Sequence, residues 1–372
     1  MMRVLILTAS YGSGHNVAAQ SLATAFERAG ASATVVDHFR ELVHPAFERL
    51  SRGLYYWVLR RAPLAWGAAY ALGDRMTSDS LLACGATRLG AGRLFGLLQR
   101  LAPDVVVTVH ATPAVAVASL AERGVRVPPH TTVVTDFVAH SQWIAPHVDR
   151  YCVAAEEVKH DFVARGIAPE RIVVTGVPVR AEFETPVDPV AARRAFGLSA
   201  RQPVVLAMAG AQASLGRLPD VTRALARTPL PLQGVVVAGT DARVEAAVQR
   251  LARGTDIRTL GHVRDIHRLM AAADVLITKA GGMTLAEAMA VELPLVLYGS
   301  LPGQERRNER FASRCGIALV ARGRRDLSRV LERALTDPRL LERLRRQMRR
   351  RRRPGASRRV VSVALQREEI LP

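Results

Sequence analysis

Lys279-Ala280-Gly281-Gly282-Met283-Thr284-Leu285-Ala286-Glu287-Ala288 follows the run Val275-Leu276-Ile277-Thr278. A short apolar, β-branched run ahead of a glycine pair reads as a strand of a parallel sheet, buried on both faces. Beyond it, Leu285, Ala288 and Met289 fall at helical spacing. Gly281 and Gly282 therefore lie in a strand-to-helix turn, where a missing Cβ lets backbone approach a ligand closely. The helix that starts there offers unpaired N–H groups and the positive end of its dipole, a setting for a phosphate. Glu287 is expected in its first turn, within reach of hydroxyls on whatever carries that phosphate. An ordinary βα turn would look the same from these residues alone.

The rest of the chain repeats the pattern. Strand-like runs at 4–8, 33–36, 105–109, 132–135, 151–154 and 172–175 alternate with helical segments, and so do runs at 204–209, 234–238, 257–260, 275–278 and 295–298. This predicts an α/β protein with two doubly wound, Rossmann-like domains. Residues 176–189 hold Pro178, Pro186 and Pro189 without periodicity. The expected boundaries are thus a first domain over 1–180, a second over 181–355 and a tail over 356–372. Such domains, facing a central cleft, bind ligands at the C-terminal ends of their strands.

Composition narrows the partners. No apolar run reaches the roughly 18 residues of a spanning helix, and the start reads as a core strand and not as a secretory signal. Cys84, Cys152 and Cys315 are isolated. They form neither a disulfide framework nor a metal cluster, which suits the cytoplasm. The net charge of +19 favours anionic partners. Only Lys159 and Lys279 are lysines, so a general bias toward arginine also inflates that charge. No nucleic-acid recognition module is legible, and nucleic acid is not an expected partner.

Residues 40–100 carry no convincing strand. Tyr55, Tyr56, Trp57 and Trp66 stand beside Arg52, Arg60 and Arg61 at helical spacing. They form either a buried helical layer or a surface with aromatics at the lipid headgroups and arginines on anionic lipid phosphates. The helix expected over 341–348, followed by Arg349 to Arg353, should end at Pro354-Gly355.

Strand 4–8 runs into Ser10-Tyr11-Gly12-Ser13-Gly14-His15, with Asp37 after the next strand. This partly resembles a dinucleotide fingerprint, but Val17 stands where a third glycine belongs. A nicotinamide oxidoreductase is therefore a rival from another class. The turn puts His15 at a helix N-terminus, where the dipole disfavours imidazolium and suits a neutral general base. Asp136 ends another strand, either orienting His15, taking a proton itself, or capping a helix; His140 and Trp143 follow it. Gly210-Ala211-Gln212 offers a second phosphate-accessible turn, and Gln304, Glu305 and Asn308 resemble a polyol-recognition surface. Neither an Asp-x-Asp pair nor a His-Glu-x-x-His motif is present, so no metal site is expected and no cofactor is assigned.

Gly12-Ser13-Gly14-His15, Thr135-Asp136 with His140 and Trp143, Thr175-Gly176-Val177-Pro178-Val179-Arg180, Met208-Ala209-Gly210-Ala211, Lys279 to Thr284 and Pro302-Gly303-Gln304-Glu305 occur in one order over roughly residues 3–340. That order resembles the diacylglycerol glycosyltransferases, the bacterial processive glucosyltransferases and plant monogalactosyldiacylglycerol synthases. It is more distantly similar to the glucosaminyl transferase of the lipid-linked peptidoglycan precursor. The resemblance implies a GT-B fold and inverting, metal-independent transfer from a UDP-sugar. Carried over, Gly210, Gly281, Gly282 and Thr284 would meet the diphosphate, Glu287 the ribose and the Val263 backbone the uracil. Gln304, Glu305 and Asn308 would face the donor sugar. His15 matches the family base and Asp136 its partner, while Tyr55, Trp57, Arg60, Arg61, Trp66, His140 and Trp143 would serve acceptor and membrane.

Ala280 stands where the family usually has proline, which predicts a looser turn, and Gln212-Ala213 replaces a usual His-Gly pair. The function expected is hexose transfer from UDP-glucose or UDP-galactose to diacylglycerol or a glycosyl-diacylglycerol. It would take place at the cytoplasmic face of the membrane, on a peripheral protein. A polyprenyl-linked or other lipid acceptor is the alternative.

Overall fold

The computed structural model describes residues 1–74, 90–210 and 217–366. Cys84 and the Ala211-Gln212-Ala213 stretch lie outside the described residues. The chain divides into two compact units, Met1–Arg180 with Arg353–Pro372, and Ala181–Arg352.

In the first unit the strands are β1 (Arg3–Thr8), β2 (Ser32–Asp37), β3 (Val105–Thr108), β4 (His130–Val133), β5 (Arg150–Val153) and β6 (Ile172–Val174). They form a parallel sheet in the order β2-β1-β3-β4-β5-β6. In the second unit β7 (Val204–Met208), β8 (Gln233–Val237), β9 (Ile257–Leu260), β10 (Val275–Thr278), β11 (Leu295–Tyr298) and β12 (Ala318–Ala321) form a parallel sheet in the order β12-β11-β10-β7-β8-β9. Strand β12 was not expected from the sequence; it is short, and only its two end residues are buried.

Helices bury both faces of each sheet, which is why strands such as Val105–Thr108 and Val275–Thr278 are apolar or β-branched throughout. On one face of the first sheet, Ala19, Leu22 and Phe26 of the helix Ser13–Arg28 pack with Val4, Ile6 and Val107. On the other, Leu94 and Leu98 of the helix Ala91–Leu101 pack with Leu5, Leu7 and Val106.

Each sheet has one point where the strand order reverses. In the first unit it lies between β1 and β3, with Leu7 opposite Thr108. In the second it lies between β7 and β10, with Ile277 opposite Ala207. Connections leaving two neighbouring strands there run to opposite faces and open a crevice at the carboxyl ends.

The C-terminal segment corrects one expectation. The helix Pro338–Arg351 ends before Pro354, but residues 356–364 are not a tail: Ala356–Ala364 is a second helix, packed on Ser13–Arg28. Val360, Val361, Ala364 and Leu365 belong to the core of the first unit. The chain enters beside Gly176, whose φ is +85°, and a Cβ there would lie 2.6 Å from the Arg353 Cβ. Only glycine allows that crossing. The sequence signal was present in the spacing of Val360, Val361 and Ala364, masked by the arginine run before it. Because Val360 is fully buried, Val360→Asp should remove about 3 kcal/mol or more from the first unit. Guanidinium unfolding followed by fluorescence should show an early transition, and an unchanged midpoint would mean that the helix is dispensable to that core.

Candidate active site

In the first unit, the reversal point brings two strand-end turns together. His15 is the third residue of the helix Ser13–Arg28, after β1, and its Nδ1 lies 2.8 Å from the carbonyl oxygen of Val109, after β3. A carbonyl can only accept, so Nδ1 carries the proton and Nε2 keeps its lone pair. Thr135 Oγ1 lies 3.0 Å from the same Nδ1. The His110 ring stands edge-on at 4.7 Å, and the Trp143 ring lies 6.2 Å away.

Burial lowers the His15 pKa from its usual value, against the raising influence of the Asp136 carboxylate and of the Val109 hydrogen bond. The imidazole is therefore neutral at ordinary pH with Nε2 as its basic atom. His110 is lowered further, by burial and then by the charges that His15 and His38 would carry. Its Nδ1 accepts the Thr112 N–H and caps the helix Ala111–Glu122.

Asp136 is buried and lies in a bend. It does not cap a helix: the turn Ser141–Trp143 is capped by His140, whose Nδ1 accepts the Gln142 N–H. His140 Nε2 lies 3.2 Å from the Tyr70 carbonyl, so both its nitrogens are occupied. His140 and Trp143, expected on the acceptor side, are both buried. His140 fastens the helix Pro63–Gly73, with help from Ser141, which bonds Gly73 and Asp74. Asp37 accepts from Ser10 Oγ and from the Arg40 N–H. It is thus engaged within its own turn and not displayed for a ribose.

The aromatic helices divide. Tyr55 packs edge-on to Trp66 at 5.0 Å and to Tyr11 at 5.7 Å, and Tyr56 Oη donates to the Tyr11 carbonyl at 2.8 Å. Tyr11 Oη in turn donates to Ser51 Oγ at 2.7 Å. Tyr11, four residues before His15, thereby joins the turn that carries His15 to the helix Pro45–Arg61. Trp57 is exposed, on one helical face with Leu50 and Leu54, and Leu64 of the next helix is exposed as well. Arg60 and Arg61 are exposed beside it.

In the second unit the reversal point again pairs two turns, Gly210 after β7 and Gly281 after β10. Gly210 has φ +62°, and a Cβ on either glycine would lie 4.0 Å from Thr284 Oγ1. Gly281 is the N-cap of the helix Gly282–Ala290 and makes no side-chain cap, so the first amides of that helix remain available to an anion. Glu287 is the sixth helical residue, in the second turn and not the first, and is buried. Val263, two residues past Gly261 in the turn after β9, is partly buried.

The residues expected to face a sugar separate as well. Gln304 opens the helix Gln304–Arg314 and is partly exposed. Asn308 is fully buried, and its Nδ2 donates to the Ala280 carbonyl at 3.2 Å. Glu305 pairs with Lys279 Nζ and accepts the Leu301 N–H at 2.9 Å. Ala280 N–H donates to Ser300 Oγ at 3.3 Å, a bond that proline could not make. The turn expected to be looser is thus tied by that bond. Sequence reasoning missed the Val109 carbonyl, His110, Tyr11 and the Lys279–Glu305 pair. Among these, His110 had a signal, since it stands just past the carboxyl end of its apolar strand.

Residues 15–179 match the family model of monogalactosyldiacylglycerol (MGDG) synthase, and residues 197–351 that of glycosyl transferases group 1. The chain is 33% identical to a processive diacylglycerol beta-glucosyltransferase of Bacillus thuringiensis (strain Al Hakam), with 100% of this chain and 95% of that protein covered. It belongs to the diacylglycerol glycosyltransferase family. The protein of the same name from Bacillus mycoides (strain KBAB4) is 34% identical over 86% of this chain and 82% of its own length. MurG of Acinetobacter baumannii superposes with a TM-score of 0.67 at 17% identity, covering 98% of this chain and 100% of MurG. The calicheamicin glycosyltransferase CalG4 gives 0.62 at 18%, with both chains fully covered. The GT-B fold expected of a diacylglycerol glycosyltransferase is the fold of this chain.

Since burial outweighs Asp136, the His15 ring of this family member should titrate below pH 6.5 in a proton NMR experiment. Asp136→Asn removes a raising influence, so the midpoint should move lower still. A rise would assign the shift to another neighbour.

Proposed function

We propose that this chain transfers a hexose from a UDP-hexose to the free hydroxyl of diacylglycerol, with inversion and without a metal ion. The observation that carries the reading is the His15 ring, held as the Nδ1–H tautomer by the Val109 carbonyl. As the acceptor oxygen forms its bond to the anomeric carbon, its proton passes to His15 Nε2. The bond from that carbon to the diphosphate oxygen breaks on the opposite face, inverting the centre, and UDP leaves with the electron pair. The amides and dipole at Gly282–Ala290 meet the growing negative charge in place of a cation. Donor residues belong to one unit and the base to the other, so binding and proton transfer are separable by mutation.

The test is incubation with each UDP-hexose and diacylglycerol liposomes in excess EDTA, with glycolipids identified by mass spectrometry and NMR. A β-linked product is expected from an α-linked donor. His15→Ala should lower kcat by about 10²–10⁴-fold and leave UDP affinity near native. Loss of UDP binding on chelation, or normal turnover without His15, would overturn the mechanism.

We also propose that the protein works at the cytoplasmic membrane face as a peripheral protein. Among the described residues, no helix is long and apolar enough to cross a membrane. Leu50, Leu54, Trp57 and Leu64 supply an exposed apolar surface, with Arg60 and Arg61 alongside. A basic residue near anionic lipid contributes about 1 kcal/mol, screened over about 8–10 Å. Sedimentation with phosphatidylglycerol vesicles should therefore show binding that falls with salt and drops in Leu54→Ser/Trp57→Ser. Binding that still falls with salt but is unchanged in the double variant would move the anchor to the exposed arginines of Pro338–Arg351, and binding indifferent to salt would overturn electrostatic docking.

A further inference from the structure

We infer that the Lys279–Glu305 ion pair is a positioning device that sets the diphosphate turn and the turn before the helix Gln304–Arg314 as one body. The inference rests on the donor site proposed above, but it concerns residues whose side chains turn toward each other.

Lys279 is the first residue after β10, two before the N-cap of Gly282–Ala290. A lone ammonium at that point would be a natural phosphate partner. Its Nζ instead meets Glu305 Oε1, and the two side chains are each 13% exposed. The other oxygen, Oε2, accepts the Leu301 N–H at 2.9 Å. Each Glu305 oxygen therefore has a partner from the protein, and the two contacts together fix the plane of the carboxylate.

Two further links run in parallel with the pair. Ala280 N–H reaches Ser300 Oγ, and the Ala280 carbonyl receives Asn308 Nδ2. Residues 279–280 are thus tied at three places to residues 300–308. Gly303 has φ +92° and ψ −125°, and it makes no side-chain cap for the helix that Gln304 opens. The start of that helix is held by Glu305, its second residue. Removing either member leaves a largely buried charge without its partner and releases both turns together.

Positioning and direct phosphate contact give opposite signs for Glu305. If Lys279 were a phosphate ligand, Glu305→Gln would free its ammonium and tighten UDP. As a positioning pair, Glu305→Gln and Lys279→Met should each weaken UDP in calorimetry by about tenfold or more, as expected for a broken buried pair. The reciprocal variant Lys279→Glu/Glu305→Lys should return to within about threefold of native, since it restores the pair with its sign reversed. A carboxylate at 279 would repel the diphosphate if that residue touched it.

Thermal melting of the near-isosteric Glu305→Gln variant checks that it is folded. Single variants with native or tighter UDP binding, or a reciprocal variant no better than the singles, would each overturn the ion-pair inference alone. A native protein that binds no UDP would overturn the donor reading itself.

Discussion

Parallel strands cannot be joined by tight hairpins; each connection must cross a face of the sheet and return. At one place in each unit, neighbouring strands send their connections to opposite faces, and the backbone there is left without a helix above it. Nearly everything of chemical interest in the chain depends on that constraint. Between β1 and β3 it brings the His15 ring to the Val109 carbonyl, although 94 residues separate them. Between β7 and β10 it brings Gly210 and Gly281 to either side of the Thr284 hydroxyl. The same solution appears twice, once around a titratable ring and once around bare backbone.

The two sites handle charge in complementary ways. Around His15, burial opposes a positive charge, and the neighbouring Asp136 moderates that effect without reversing it. A proton taken up at Nε2 would then be held by a ring already tethered through its other nitrogen and facing a carboxylate. At the second turn, the groups that an anion would meet are peptide dipoles of the helix start, already aligned and unable to move away. The ammonium closest to the turn is occupied by Glu305. Preorganised dipoles need no rearrangement as charge develops, which is the condition under which they are most effective.

The alternation of strands with helices and both glycine turns were legible in the sequence because they depend on local signals, namely apolar runs, glycines and helical spacing. What stayed hidden depends on what lies across a sheet. Nothing in the residues around 109 announces a carbonyl that sets the tautomer of His15. Glu305 and Asn308 looked alike as polar residues of one surface, yet Asn308 faces inward to Ala280 while Glu305 turns to Lys279. Ala280 looked like a loss of stiffness because proline was absent, and the bond its N–H makes to Ser300 could not be read from the string. The aromatic helices posed a choice between core and surface, and the answer was both: Tyr55 and Tyr56 turn inward to Tyr11, and Trp57 turns out.

The helix Ala356–Ala364 bears on how the chain is made. Synthesis runs from the N-terminus, and domains ordinarily fold as they emerge. Here the first unit lacks Val360, Val361, Ala364 and Leu365 until the second unit has been made, while the stripe it offers them, with Ala19, Leu22 and Phe26, is made before that unit. During that interval a nascent chain carries an uncovered apolar face and the whole second unit. The first domain to be written is thus the last to be finished, and its closing contacts span nearly the full length of the chain. Long-range closure of that kind slows folding. It also makes intact synthesis a condition for a complete base site, since a chain cut short after its second unit would lack the helix that covers Ser13–Arg28, the element on which His15 stands.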